Sequence, residues 1–103
     1  MMKAPSIKDQ ECALVTGQVP DVPAYKLFLW VWFDSERDAY VAHSPQMGTQ
    51  ATHYMRVDAI NIGSHLMLSE FTARRQKSRG SFECPKAPKT PPHVEEVRRW
   101  RVV

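Results

Sequence analysis

The chain has 103 residues, of which 43% are hydrophobic and 24% are charged, so it is one small globular domain and not a disordered or collagen-like chain. Its net charge of +3 is unevenly distributed: residues 1–71 carry five basic and eight acidic side chains, and residues 72–103 carry nine basic and three acidic ones. The longest apolar run, Leu27–Phe33, has seven residues, whereas a helix that spans a bilayer needs about 20. Cys12 and Cys84 fit neither a disulfide scaffold nor a zinc site. We therefore expect reduced thiols and a cytoplasmic location.

The first predicted elements are an irregular lead-in and a strand. Residues 1–24 contain three prolines and predict little regular structure beyond a short strand at Cys12–Thr16. The next segment, Tyr25–Phe33, is aromatic, short and flanked by Pro23 and an acidic turn. These features favour a β-strand that is apolar on both faces, and therefore central in its sheet or covered on both sides. A buried helix is the competing interpretation.

A hairpin and a helix are predicted next. Residues 34–38 form a polar turn, and Ala39–Ser44 is the returning strand, which Pro45 ends. The segment Gln46–His53 predicts a loop or a short edge strand. From Tyr54 to Arg75 the period changes to that of an amphipathic helix.

One face of the predicted helix is apolar. The apolar positions, at three- and four-residue spacing, are Val57, Ile60, Gly63, Met67 and Phe71. A glycine inside a helix costs about 1 kcal/mol relative to alanine, and a close approach to the sheet would explain Gly63.

The C-terminal segment is rich in proline and in basic residues. Its prolines predict an extended linker: Pro85, Pro88, Pro91 and Pro92. Either a short helix capped by Thr90 or a final strand at Val97–Val103 follows, and the sequence leaves both open. The chain thus divides into a lead-in (1–24), a compact α+β domain (25–80) and a Pro-rich basic segment (81–103).

Part of this pattern resembles the HicB-like antitoxin family. The stretch Asp38–Gly48, DAYVAHSPQMG, is similar to that family's "gYvahsPelG". The tripeptide Asp58–Ile60 falls where the family has "E-A-L", and Pro91–Val97 is similar to its "P-x-P-x-x-x-E-E" ending. The match covers roughly residues 25–97. The family's "G-D-T" at the start of the helix is replaced by Thr52–Met55.

The resemblance implies both a fold and a function. The fold is α+β, a small antiparallel sheet of three to four strands with one amphipathic helix packed on a face, similar to part of an RNase H fold without its nuclease activity. Family members bind and block HicA, a small RNA-cleaving toxin, and often form dimers. The resemblance therefore implies a non-catalytic inhibitor that occludes its partner.

The residues themselves indicate no catalytic site, no metal site and no cofactor. Asp34, Glu36 and Asp38 alternate, but a calcium loop that began at Asp34 would have Ala39 where glycine is needed and Pro45 where the bidentate glutamate belongs. A solvated hairpin turn is favoured. The four histidines show no metal-binding pairing, and no Walker A or dinucleotide-binding motif is present. We expect a binding protein and not an enzyme.

Two sets of residues are candidate contact surfaces. The set for a protein partner combines one face of the aromatic strand with the acidic turn: Phe28, Trp30, Trp32, Asp34, Glu36 and Asp38. The set for nucleic acid combines basic side chains with one aromatic: Arg74, Arg75, Lys77, Arg79, Arg98, Arg99, Trp100 and Arg101. Each surface has a simpler alternative. For the aromatic face, the alternative is that the N-terminal residues or the C-terminal segment cover it. For the basic residues, the alternative is that they only keep the C-terminal segment soluble.

Three functions are consistent with these residues. The leading interpretation is an antitoxin-like inhibitor of a basic, RNA-binding toxin, with a homodimer as a second expected association and no contact with a membrane. The alternative is a phage or mobile-element inhibitor of a host nucleic-acid machine, such as a CRISPR effector complex. The third is an accessory protein that binds nucleic acid without sequence preference through its basic C-terminal segment.

Overall fold

The computed structural model describes residues 7–14, 24–78 and 82–103. In chain order the elements are β1 (Lys8–Ala13), β2 (Tyr25–Asp34), β3 (Ala39–His43), β4 (Gln50–His53), α1 (Arg56–Ser78) and β5 (Glu96–Val102). The five strands form one sheet in the order β1-β5-β2-β3-β4. β1 runs parallel to β5, and the other neighbours are antiparallel. With α1 packed on one face, this is an α+β fold built as a single domain.

The predicted aromatic strand, hairpin and amphipathic helix are confirmed, but the sheet is larger than predicted. It has five strands instead of three to four because parts of both terminal segments join it. β1 lies within the predicted lead-in and begins before the predicted strand at Cys12–Thr16, whose last two residues lie outside the described ranges. The boundaries predicted at residues 24 and 81 therefore do not separate structural units.

The interior position of β5 in the sheet settles the open choice at the C-terminal segment in favour of a strand. β5 pairs with β1 on one side and with β2 on the other, so its backbone polar groups are used along both edges. On the side of the sheet that faces α1, which we call the helix side, Trp100 and Val102 are buried in the main core. On the opposite side Val97 is buried in a second, smaller cluster.

The approach of α1 to the sheet is close at Gly63. The buried residues of α1 are Ala59, Ile60, Gly63, Met67 and Phe71. A Cβ atom added at Gly63 would lie 2.7 Å from the Cβ of Ala42 and 3.3 Å from its carbonyl oxygen. The expected reason for this glycine is thus confirmed. The prediction for Val57 is wrong, since that side chain is 58% exposed.

The side chain of Gln46 continues the sheet where β3 ends. β3 pairs with β2 only from Trp30 to Asp34. Beyond that point the Gln46 carboxamide accepts a hydrogen bond from the backbone N–H of Phe28 (2.8 Å) and donates one to the carbonyl of Lys26 (2.9 Å). It also donates to the carbonyl of Pro85 (2.9 Å). One buried amide therefore joins the edge of β2 to the Pro-rich segment.

The Pro-rich segment passes from the helix side of the sheet to the opposite side. Phe82 and Cys84 pack against the main core under α1. Val94 is buried in the cluster on the opposite side, and the backbone N–H of Glu95 then donates to the carbonyl of Val31 (3.0 Å). The segment therefore covers part of the sheet face that α1 leaves free.

Among the described residues, Glu96 is the only charged side chain that is buried. Its carboxylate accepts from Nε of Arg98 (2.8 Å) and pairs with the guanidinium of Arg56 at the start of α1. A buried charge is tolerated only when it is paired in this way.

Within the residues that the structure describes, no helix is long and apolar enough to cross a bilayer.

We expect Gly63→Ala to destabilise the protein by about 1–3 kcal/mol, the usual cost of overpacking a core. An exposed helical glycine replaced by alanine would instead gain about 1 kcal/mol. The double variant Gly63→Ala/Ala42→Gly removes the contact at 2.7 Å and should recover part of the loss. Urea unfolding followed by circular dichroism measures both, and a Gly63→Ala variant as stable as the parent would contradict the close packing.

We expect Gln46→Glu to lower the free energy of unfolding by about 2–3 kcal/mol. The glutamate keeps the size and the acceptor, but an ionised carboxylate cannot donate to the carbonyls of Lys26 and Pro85, which then lose their partner. Gln50→Glu on the exposed edge strand is the matched control and should change stability by no more than about 0.5 kcal/mol. Equal effects in thermal unfolding would show that the bridging amide is unimportant.

Candidate functional site

The predicted aromatic contact surface is largely occupied by the protein itself. Trp30 is only 8% exposed and forms a cluster with Val94 and Val97. The alternative in which the C-terminal segment covers this face is therefore the one that the structure adopts. Trp30 belongs to a core because Val94 of the Pro-rich segment packs beside it, so its predicted role as a contact residue does not fit its position.

The two other aromatic residues of this face are half-buried. The Trp32 ring lies edge-on to the rings of His93 (5.0 Å between centroids) and His43 (6.4 Å). The guanidinium of Arg99 lies over the Phe28 ring, 5.6 Å from its centroid. Each ring thus already has an intramolecular neighbour, which leaves less of it for a partner.

His43 lies beneath this aromatic cluster. Its Nδ1 atom is buried without a hydrogen-bond partner, as is Oγ1 of Thr49. Burial lowers the pKa of His43 below its ordinary value, and a hydrogen bond with the backbone of Thr49 partly offsets that shift. Among the described residues, no carboxylate is hydrogen-bonded to the ring to orient it, as a general base requires.

The acidic turn forms a tight, exposed connection between β2 and β3. A carboxylate oxygen of Asp34 accepts from the backbone N–H of Glu36 (3.0 Å), and the other lies 3.6 Å from Nε of Arg37. Asp38 has a left-handed backbone (φ 51°), which aspartate tolerates better than most residues. In the described ranges, no group of three or more histidine, cysteine or acidic side chains is placed to hold a metal.

The strand pairing brings the acidic turn to the same end of the sheet as the start of the helix. Asp34 pairs with Ala39, and Tyr40 pairs with His53 at the end of β4, just before α1. β5 and β1 also begin here, where Glu96 pairs with Lys8. We call this region the acidic end.

Exposed apolar side chains concentrate at the acidic end. The seven large apolar side chains that are exposed among the described residues are Ile7, Phe33, Tyr54, Met55, Val57, Ile62 and Leu66. The first five belong to segments that meet at this end of the sheet, where the acidic turn also lies, and the last two continue along α1. Clustering of this kind marks a contact surface, whereas single exposed apolar residues are common on any protein.

Tyr54 is the most exposed of these side chains, at 73%. Its ring stacks on His53 with centroids 4.6 Å apart and planes 23° from parallel. Nδ1 of His53 in turn accepts from the backbone N–H of Met55 (3.0 Å). The tyrosine therefore lies outside the core with its ring stacked on His53, an arrangement that suits an interface anchor.

Sequence reasoning missed this surface for an identifiable reason. The spacing of Val57 fits the apolar stripe of the helix, and only the direction in which α1 meets the sheet shows that this residue points outward. In the sequence, Tyr54 and Met55 are two adjacent large apolar residues directly before α1, and this is the signal that could have marked the segment.

The predicted basic residues of α1 do not form one patch. Arg74 is held by Glu70 (2.9 Å) and by the carbonyl of Met47 (3.1 Å). Arg75 lies over the Tyr25 ring, 5.3 Å from its centroid. Lys77 is exposed, and Arg79 lies outside the described residues. Arg74 thus contacts the loop after β3, and Arg75 contacts the start of β2.

The four predicted nucleic-acid residues of β5 are split between the two faces of the sheet. Arg98 and Trp100 are on the helix side, where Arg98 pairs with Glu96 and Trp100 is buried. Arg99 and Arg101 are on the opposite face, because they pair with Phe28 and Lys26 of β2. Trp100 is therefore closed to a nucleic-acid base, while Arg99 and Arg101 remain accessible.

The chain was compared with protein-family models, with curated proteins and with solved structures, and it matches none of them.

We expect the protein to lose stability as the pH falls from 7.5 to 5.5. In the folded state the pKa of His43 lies below its ordinary value, which the unfolded chain keeps. The neutral ring therefore contributes its full share to the free energy of unfolding when the pH is above the ordinary value. That share decreases as the pH falls below the ordinary value. Urea midpoints at several pH values measure the slope. It should flatten in His43→Gln and persist in the control His65→Gln, on the exposed face of α1. An unchanged slope in His43→Gln would refute this origin.

Proposed function

We propose that the protein is a non-catalytic inhibitor that binds a partner protein and occludes it, as an antitoxin does to its toxin. The observation that carries the proposal is the acidic end, where exposed apolar side chains share one end of the sheet with a turn that has three acidic residues and one basic residue. The proposal places the protein in the cytoplasm, where its two free cysteines would stay reduced.

The chemistry of the acidic end supports a partner with a basic surface. Tyr54 and Val57 offer apolar area, and Tyr is enriched among residues that dominate binding energy. Glu36 and Asp38 add negative charge at the rim, which favours a basic surface and speeds its encounter. A small RNA-cleaving toxin has such a surface because it must attract RNA, in keeping with the resemblance to the HicB-like family.

A second candidate partner has the same chemistry. A host nucleic-acid machine, such as a CRISPR effector complex, also presents a basic surface that normally holds DNA or RNA. An inhibitor from a phage or mobile element would cover that surface with its own acidic end. The identity of the bound protein distinguishes the two functions, and the contact residues on this chain are the same.

The test is capture of the partner followed by binding with purified components. Tagged protein is incubated with nuclease-treated lysate of the source cell, and the retained protein is identified by mass spectrometry and purified. We expect a basic protein whose nucleic-acid cleavage or binding is lost at one equivalent of this chain. Tyr54→Ser/Val57→Ser should weaken its binding at least tenfold.

Two further variants make the test specific. Glu36→Gln/Asp38→Asn removes two charges while keeping a residue that tolerates the left-handed backbone, and it should mainly slow association. Lys26→Ala/Arg101→Ala, at the other end of the sheet, is the control and should bind as the parent does. Binding that survives the Tyr54→Ser/Val57→Ser change, or a partner that keeps full activity when bound, would overturn the proposal.

A further inference from the structure

A second surface lies at the end of the sheet opposite to the acidic end. There β1, β5 and β2 form a cleft of about 560 Å³ on the face that α1 leaves free, within the roughly 300–1,000 Å³ of typical ligand sites. Its lining includes three cations, Lys26, Arg99 and Arg101, together with Phe28 and Glu11. We call it the basic cleft.

The strand register places two of these cations side by side. Lys26 on β2 is the direct partner of Arg101 on β5. Like charges in directly opposite positions destabilise a sheet. The ion pairs among the described residues provide no carboxylate for either side chain. This arrangement carries an unfavourable repulsion that an anionic ligand would relieve.

The third cation is fixed in place. The guanidinium of Arg99 lies over the Phe28 ring, and its Nη2 atom lies 2.6 Å from a carboxylate oxygen of Asp9. The Phe28 ring on one face and the Asp9 carboxylate at the edge fix the plane of the guanidinium. A nucleic-acid base can stack on the other face of such a planar group.

We propose that the basic cleft binds a short stretch of single-stranded nucleic acid. Lys26 and Arg101 contact phosphates, and a base stacks on the outer face of the Arg99 guanidinium. Arg99 and Arg101 are two residues apart on one strand, roughly 6.6 Å, so the cleft offers cations in a row along which an extended backbone can lie. The site is independent of the acidic end and of the partner proposed for it.

The combination of groups favours nucleic acid over other anions. A free phosphate would use the cations but not the Phe28–Arg99 stack. An acidic protein surface would likewise use only the charges, and Glu11 in the lining would oppose it as it opposes any anion. A base and a phosphate presented together use both parts of the cleft.

The first experiment measures fluorescence anisotropy with a labelled 12-nucleotide oligo(dT). With two phosphates contacted, by Lys26 and Arg101, affinity should fall roughly sevenfold between 50 and 200 mM salt. Lys26→Ala/Arg101→Ala should weaken binding more than tenfold at 50 mM salt. The control Lys8→Ala/Arg37→Ala removes the same charge from the opposite end of the sheet and should bind within about twofold of the parent.

The second experiment isolates the base. A 12-nucleotide abasic strand should bind the parent about tenfold more weakly than oligo(dT), which reflects the loss of stacking. Arg99→Lys keeps the charge and removes the planar group, so this variant should bind oligo(dT) and the abasic oligonucleotide with equal affinity. Glu11→Gln should tighten binding of both strands roughly two- to fivefold, in the range of surface charge pairs.

The outcomes that overturn the proposal are specific. They are no binding at 50 mM salt, equal weakening by the two double variants, or equal affinity of the parent for the abasic strand. Competition by polyglutamate as effective as that by oligo(dT) would assign the cleft to an acidic protein instead. None of these results bears on capture of a protein at the acidic end, so the two proposals fail separately.

Discussion

The buried carboxylate of Glu96 joins parts of the fold that are far apart in the sequence. It is the first residue of β5, and it holds the guanidinium groups of Arg98 on the same strand and Arg56 at the start of α1. An unpaired charge at this depth would be costly, so the beginning of the helix and the beginning of β5 are fixed together. The exposed positions of Met55 and Val57 follow from that constraint, because they flank Arg56 and are directed outward when it turns in toward β5.

Local sequence signals predicted the local structure well. Tyr25–Phe33, the acidic turn and the helix all have strong periodicity or turn chemistry, and each appears in the structure within a few residues of its predicted bounds. The place of β5 was not predictable in the same way. Val97, Trp100 and Val102 suit either a strand or a short helix, and only pairing with β2 and β1, distant in the chain, decides between them. The role of Gln46 was hidden for the same reason, since its three partners come from two other segments.

The candidate surfaces were predicted only in part. The acidic turn is exposed as expected, but the aromatic residues next to it in sequence point into clusters of the fold, and Trp30 is buried by Val94, 64 positions further along the chain. Charge counting located the basic residues but not their faces: alternation along β5 sends Arg98 to a carboxylate and Arg99 to the opposite side of the sheet. Lys26 was not singled out because its significance comes from Arg101 across the strand pair. Contact surfaces that combine distant segments therefore escape a reading of composition and motifs.

The pairing of β1 with β5 has a consequence for how the protein folds. β2, β3 and β4 follow one another closely and can form as successive hairpins, whereas β1 has β5 as its only neighbour in the sheet. Its partner is separated from it by almost the entire chain, so closing that loop carries a large entropic cost and comes late. During synthesis β1 must wait until β5 has been made. In that interval both β1 and the edge of β2 that β5 will cover are open to pairing with another molecule.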